Sequence, residues 1–279
     1  MENTFNFERF GKVFSLDVKR YVTQFGLTFL ILCAMPIVMW LISLVFGFRM
    51  PCVARVTVTW MAIWLSAILV PAKAFGYINL QREGVSYAML PASNLEKFLS
   101  IAILCLLTPI AVMACSYGID SLLTLLPWGG FNKFITGGVL KSIEYYMIGI
   151  DAVGEAVETK MSVIDMFDSM ASSEEIYMFI STVFTVGLFL FGNSLFKTHK
   201  TAKTFAVMMG VSYAVSLIMQ IVLLSDGTVM ELQMHPEEFG FDQASDLVRT
   251  TFLFSEIAYS LIAVGLFVGT FFKVKNQKY

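Results

Sequence analysis

Long apolar runs separated by shorter polar segments make up most of the chain. A helix needs about 20 mostly apolar residues to cross the hydrocarbon core of a bilayer, whereas a barrel strand alternates apolar and polar positions over about 10 residues. Six runs reach the helical length and none alternates. The pattern therefore predicts an all-α polytopic membrane protein with six transmembrane helices. The predicted spans are residues 26–47, 56–75, 98–117 (extendable to 126), 176–196, 205–224 and 251–272.

The segment before the first span, residues 1–25, is amphipathic. Its aromatic and aliphatic side chains recur at steps of three and four, which places them on one helical face, and its charged residues fall elsewhere. We predict a helix lying in the membrane interface, with a simple lead-in to the first span as the alternative. The apolar face consists of Phe10, Phe14, Val18, Tyr21 and Phe25.

The remaining parts of the chain follow from these spans. Residues 26–272 form the predicted transmembrane domain, and residues 273–279 form a short tail. Segments 118–175 and 225–250 are predicted outer loops rich in acidic residues. The pattern over 139–153 predicts a helix on the outer surface.

Lysine and arginine residues orient the spans, because they accumulate on the cytoplasmic side of membrane proteins. With the N-terminus placed inside, 13 of the 19 Lys and Arg residues fall in inner segments. Both termini are therefore predicted to be cytoplasmic, in the inner (plasma) membrane of a bacterium.

Composition narrows the function classes. The chain is 57% hydrophobic and 14% charged, against about 25% charged in soluble domains. A net charge of −2 gives no basic surface for nucleic acid. Two histidines and four cysteines form no metal-ligand spacing, and Cys52 alone lies in a loop, so neither a metal site nor a disulfide is expected.

No catalytic pattern is evident either. Residues 137–142, "GGVLKS", lack the first glycine of a phosphate-binding loop. No Ser-His-Asp, Cys-His or paired-carboxylate set falls within the spans. We therefore predict a protein that is not an enzyme and has no cofactor.

Two short patterns predict helix starts. Ser93 and Glu96 have the spacing of a capping box before the third span, where Pro91 precedes the cap. Ser172 and Glu175 have the same spacing before the fourth span.

Polar and small residues within the spans offer further candidates. Glu256 is an ionisable residue inside the last span, a position that is often functional. The alternative is that it reaches the interface or pairs with Arg249. Gly265 and Gly269 form a Gly-x-x-x-Gly pattern, which favours close helix packing within one subunit over dimerisation.

Two inner segments carry recognisable patterns: "LPASNLEKFLS" at 90–100, preceded by "QREGVSYAM", and "FGNSLFKTHKTAKTF" at 191–205. These segments resemble the ABC type-2 permeases, particularly the membrane proteins of that group found in Bacteroides-like bacteria. The resemblance implies a permease subunit that pairs with a separate ATPase, as a homodimer or with a related permease subunit. The implied ATPase-coupling loop comprises Arg82, Glu83, Gly84, Tyr87, Leu90 and Pro91. The long loop between spans three and four departs from the family, in which that loop is usually short.

Two functions follow as expectations. The first is a permease-like subunit of an ABC transporter, coupled to its ATPase through the inner loop between spans two and three. The second is a non-transporting scaffold or accessory protein that binds partners through its acidic outer loops. In both cases membrane lipid surrounds the spans.

Overall fold

The computed structural model describes residues 5–48, 50–74, 87, 89–126, 131, 135, 138, 157–196, 198–225 and 241–275, with the backbone alone at 157–173, 223–225 and 241–248. All regular secondary structure in these residues is helical. The helices are α1 (Phe7–Cys33), α2 (Met35–Phe46), α3 (Cys52–Ala74), α4 (Asn94–Thr124), α5 (Val157–Leu195), α6 (Lys200–Ser225) and α7 (Phe241–Lys275).

Six stretches of the described residues are long and apolar enough to cross a membrane, which confirms the predicted all-α polytopic architecture. Helices α1 and α2 form the first span together, since only Ala34 interrupts them. The interruption lies next to Pro36, whose ring lacks the N–H needed to continue the helical hydrogen bonds. The stretches are Phe7–Phe46, Cys52–Lys73, Asn94–Thr124, Glu174–Leu195, Lys200–Val222 and Arg249–Lys275.

Helix α1 runs through the predicted boundary at residue 25 without a break. It starts at an N-cap, where the side chain of Asn6 accepts a hydrogen bond of 2.9 Å from the backbone N–H of Glu8. Phe25 is fully buried, and Phe14, Val18 and Tyr21 pack against the same protein core. The apolar face of the predicted interfacial segment therefore packs on the helix bundle, and residues 1–25 do not end at a helix boundary.

Helix α5 begins well before its span. Residues 172–175 lie inside it, so the predicted second capping box of Ser172 and Glu175 is wrong, because a continuing helix has no free N–H groups to cap at that point. Helix α4 likewise continues to Thr124. The predicted outer loop 118–175 thus contains parts of two helices. The predicted surface helix at 139–153 lies outside the described residues.

The described residues form two hydrophobic cores. The first joins α1, α3 and α4 to one side of α5, around Phe25, Val70 and Cys105. The second joins α5, α6 and α7, around Phe189 and Tyr259. Helix α5 contributes to both cores and packs most extensively along α7.

The helix bundle has two ends, which we call the terminal end and the distal end. The terminal end contains the start of α1, the loop between α3 and α4, and the end of α7, where the Phe98 and Phe271 rings lie 5.6 Å apart. The distal end contains the start of α3 and the end of α4.

Candidate functional site

The predicted coupling loop lies between α3 and α4 at the terminal end. Arg82, Glu83 and Gly84 lie outside the described residues. Leu90 is half-buried and Pro91 is exposed. Tyr87 is only 2% exposed, so its side chain holds the loop against the bundle and offers little surface to a partner.

The first residues of α4 form the predicted capping box. The Glu96 backbone N–H donates to Ser93 Oγ at 3.2 Å, and the Ser93 backbone N–H donates to Glu96 Oε2 at 2.9 Å. Together these bonds satisfy donors that a helix start leaves free. The capping prediction for Ser93 and Glu96 is therefore confirmed.

Glu96 also joins α4 to the start of α1. Its Oε1 accepts a 2.9 Å hydrogen bond from the backbone N–H of Asn6, and Arg9 Nη2 lies 3.4 Å from the same oxygen. Glu96 is fully buried while Arg9 is partly exposed. Because a buried carboxylate is costly unless it is bonded, these contacts fix α1 against α4.

The carboxylate of Asp17 is also buried, and it joins the same two helices one turn further along α4. Ser100 Oγ donates to Asp17 Oδ2 at 2.5 Å. The Tyr87 hydroxyl lies 3.3 Å from that oxygen and 3.3 Å from the backbone oxygen of Lys97. Asp17 and Ser100 are both fully buried. We call this set the anchor cluster, and it consists of Asp17, Tyr87, Ser93, Glu96 and Ser100.

The anchor cluster ties three parts of the chain together. Asp17 lies on α1, Tyr87 on the loop, and Ser93, Glu96 and Ser100 at the start of α4. The loop, α1 and α4 are therefore joined by direct, buried contacts.

A buried ion pair lies at the distal end. Arg55 Nη1 on α3 contacts Asp120 Oδ2 on α4 at 3.2 Å and Oδ1 at 3.3 Å. The same nitrogen lies 3.4 Å from Thr124 Oγ1. The Phe131 ring covers the guanidinium, with its centroid 4.1 Å from Arg55 Cζ, in a cation–π arrangement. The pair therefore fastens α3 to α4 at the end opposite the anchor cluster.

Sequence patterns did not single out Asp17, Arg55 and Asp120. Arg55 and Asp120 were assigned to outer loops, whereas both lie within helices and are nearly fully buried. For Asp17 a signal was available. It lies three residues after Phe14 and four before Tyr21, so it shares the apolar face of α1.

The remaining candidates lie in α7. Glu256 is half-buried and forms no ion pair with Arg249 among the described contacts, so the structure does not support that part of the alternative. Gly269 approaches α5 closely, because an added Cβ would lie 3.0 Å from the Phe191 ring. An added Cβ at Gly265 would meet no atom within 4 Å. Gly269 therefore packs against another helix of the same chain, whereas Gly265 does not.

In the described part of the chain, no group of three His, Cys, Asp or Glu side chains could hold a metal ion. No family model, curated protein or solved structure matches the chain. The fold and its apolar helices define the class as a polytopic helical membrane protein.

Proposed function

We propose that this chain is the membrane subunit of a transporter driven by a separate ATPase, as in the ABC permeases that its inner segments resemble. The observation that carries the proposal is the anchor cluster. It binds the candidate coupling loop, through Tyr87, to both α1 and α4. A loop that receives force from a soluble partner needs such a connection to the spans.

The chemistry of the anchor cluster supports this role over plain packing. Buried charged groups often stabilise a protein no better than apolar side chains of similar volume. They do specify one arrangement, because each bond has a fixed direction and partner. Fixed geometry between the loop and two spans is what mechanical coupling requires.

The division of the bundle into two cores supports movement. Helices α1, α3 and α4 share one core with one side of α5, and α5, α6 and α7 share the other. Helix α4 makes few contacts with α5. The proposed ATPase cycle shifts α4, together with α1, relative to α5.

The proposal includes an orientation and partners. The terminal end lies in the cytoplasm of a bacterium, with the chain in the inner membrane, since most Lys and Arg residues then lie inside. The membrane subunit acts as a homodimer or beside a related permease subunit. Arg82, Glu83 and Gly84 supply the ATPase contact, while Leu90 and Pro91 complete the loop.

Co-purification tests the proposal directly. We expect a tagged chain, extracted from membranes of its native host, to carry an ATPase subunit that mass spectrometry identifies in comparable amount. Arg82→Glu reverses a charge in the candidate contact and reduces the recovered ATPase. Lys12→Glu reverses an exposed charge on α1 and leaves it unchanged. The proposal fails if no ATPase is recovered, or if Arg82→Glu retains it fully.

A scaffold or accessory function is the second candidate. The observation that favours it is the length of α5, which begins at Val157, whereas its span begins at Glu174. At about 1.5 Å per residue this helix extends some 25 Å beyond the span on the distal side. The same purification distinguishes the two, because a scaffold yields a partner bound at the distal end and no ATPase.

A further inference from the structure

A cleft separates α4 from α5 in the distal half of the bundle. Helix α3 closes its back, and its volume is about 610 Å³, within the range of roughly 300–1,000 Å³ that small-molecule sites occupy. We call it the α4–α5 cleft. The lining residues that matter here are Trp60, Ile110, Met113, Tyr117, Glu175 and Phe179.

The cleft opens on the outer surface of the bundle. Ile110, Met113 and Phe179 line it and are also 44%, 37% and 56% exposed. In a membrane this surface faces lipid, so an apolar molecule can enter sideways from the bilayer. From Leu106 to Tyr117 the wall formed by α4 is about 16 Å long at 1.5 Å per residue.

The two ends of the cleft differ in chemistry. The deep end is aliphatic, with Ile63, Leu106 and Val186. The distal end carries Tyr117 and the acidic side chain of Glu175, and the Trp60 and Phe179 rings lie on the neighbouring walls. An apolar chamber with one acidic, aromatic end suits an amphiphile.

The charge at the distal end of the cleft determines which sign of ligand charge the cleft prefers. Glu175 is exposed and has no ion-pair partner among the described contacts. Asp120 lies one turn beyond Tyr117 on α4, and the guanidinium of Arg55 compensates it. Among the described residues, the distal end of the cleft therefore carries the carboxylate of Glu175 without a compensating cation.

We propose that the α4–α5 cleft binds a cationic amphiphile, with the apolar body in the deep end and the organic cation beside Glu175, Tyr117 and Trp60. Aromatic rings attract organic cations through their negative faces, and a carboxylate adds a direct charge. An ordinary phospholipid tail would use the apolar end alone. Binding at this site does not depend on an ATPase partner.

Equilibrium binding to the full chain tests the proposal. The chain is placed in nanodiscs of zwitterionic phosphatidylcholine, and uptake by empty nanodiscs is subtracted. The probe is radiolabelled dodecyltrimethylammonium below its micellar concentration, and 1-dodecanol is the neutral probe of matched chain length. We expect saturable binding of the cation and at least about tenfold weaker binding of the alcohol, on the scale of one charge-assisted contact.

Three variants locate the site. Glu175→Gln removes the charge and weakens binding of the cation about tenfold. Met113→Trp fills the cleft and abolishes binding, and Ile110→Trp serves as a second blocking variant. Glu256→Gln removes an acid that does not line the cleft and leaves binding unchanged. Each variant is compared with the wild type after size-exclusion chromatography confirms a folded, monodisperse sample.

Several results would overturn the proposal. Equal binding of the cation and the alcohol, or unchanged affinity in Glu175→Gln, would show that the cleft holds only an apolar chain. Retained binding in both blocking variants would place the probe elsewhere. Absence of saturable binding to the wild type would exclude the site. The assay contains no ATPase, so its outcome is independent of the proposed transport function.

Discussion

At the residue scale, Arg55 and Asp120 show how the bundle keeps opposite charges inside. Each is nearly fully buried, and each depends on the other for compensation. The attraction between two buried charges roughly offsets the loss of their hydration, whereas one buried charge without its partner is strongly unfavourable. The pair therefore specifies how α3 and α4 meet more than it adds to stability.

Single and double substitutions are expected to behave differently at this pair. Asp120→Leu leaves the guanidinium of Arg55 buried without its carboxylate and lowers the free energy of unfolding by about 3–5 kcal/mol. The double variant Arg55→Met with Asp120→Leu recovers most of that loss, because neither charge remains. Thermal unfolding in detergent, followed by fluorescence-detected size-exclusion chromatography, measures both. Equal losses in the single and double variants would contradict this account.

At the element scale, α5 and α7 interlock through two glycine–phenylalanine contacts. An added Cβ at Gly187 would lie 3.1 Å from the Phe267 ring, and one at Gly269 would lie 3.0 Å from the Phe191 ring. Each helix thus offers one glycine to a ring of the other. Glycines at a helix interface let two backbones approach closely within a membrane.

The two glycines of the Gly-x-x-x-Gly pattern give a matched pair of variants. Gly269→Leu forces a side chain against Phe191 and lowers the free energy of unfolding by about 1–3 kcal/mol through overpacking. Gly265→Leu enters open space and has little effect. Melting temperatures in the same detergent compare them. A larger loss for Gly265→Leu would instead indicate a partner chain on that face.

The sequence predicted some elements and missed others for identifiable reasons. Ser93 and Glu96 formed a true cap because Pro91 and a polar loop precede them. Ser172 and Glu175 have the same spacing but lie inside α5. Residues three apart are also neighbours on one face of a continuous helix. The spacing alone does not distinguish a helix start from a helix interior.

At the scale of the whole molecule, hydropathy sufficed for the six spans, because each crossing needs its own apolar length. The α4–α5 cleft could not be predicted in this way. It depends on how far α4 and α5 separate and on which residues, such as Met113 and Phe179, face the gap. Likewise Asp17 and Ser100 are 83 residues apart in sequence and meet only after α1 packs on α4.

The orientation of the whole molecule is a further testable prediction. Green fluorescent protein fused after Tyr279 is expected to fluoresce in a bacterial host, because it folds in the cytoplasm, where we place both termini. A truncation after Ser225 ends at the last residue of α6, removes the last span and places the fusion outside, so the fluorescence is lost. Alkaline phosphatase fusions at the same two positions give the opposite pattern. A fluorescent truncation with a dark full-length fusion would reverse the orientation.

The Arg55–Asp120 pair also constrains how the chain enters the membrane during synthesis. The two residues are 65 positions apart, so at about 5–20 residues per second Arg55 waits several seconds for its partner to be made. A lone guanidinium is poorly tolerated within lipid. Helix α3 is therefore expected to stay beside the insertion machinery until α4 arrives, and the two helices to enter the bilayer as a hairpin. Assembly of the bundle would then include one step in which two helices enter the membrane together.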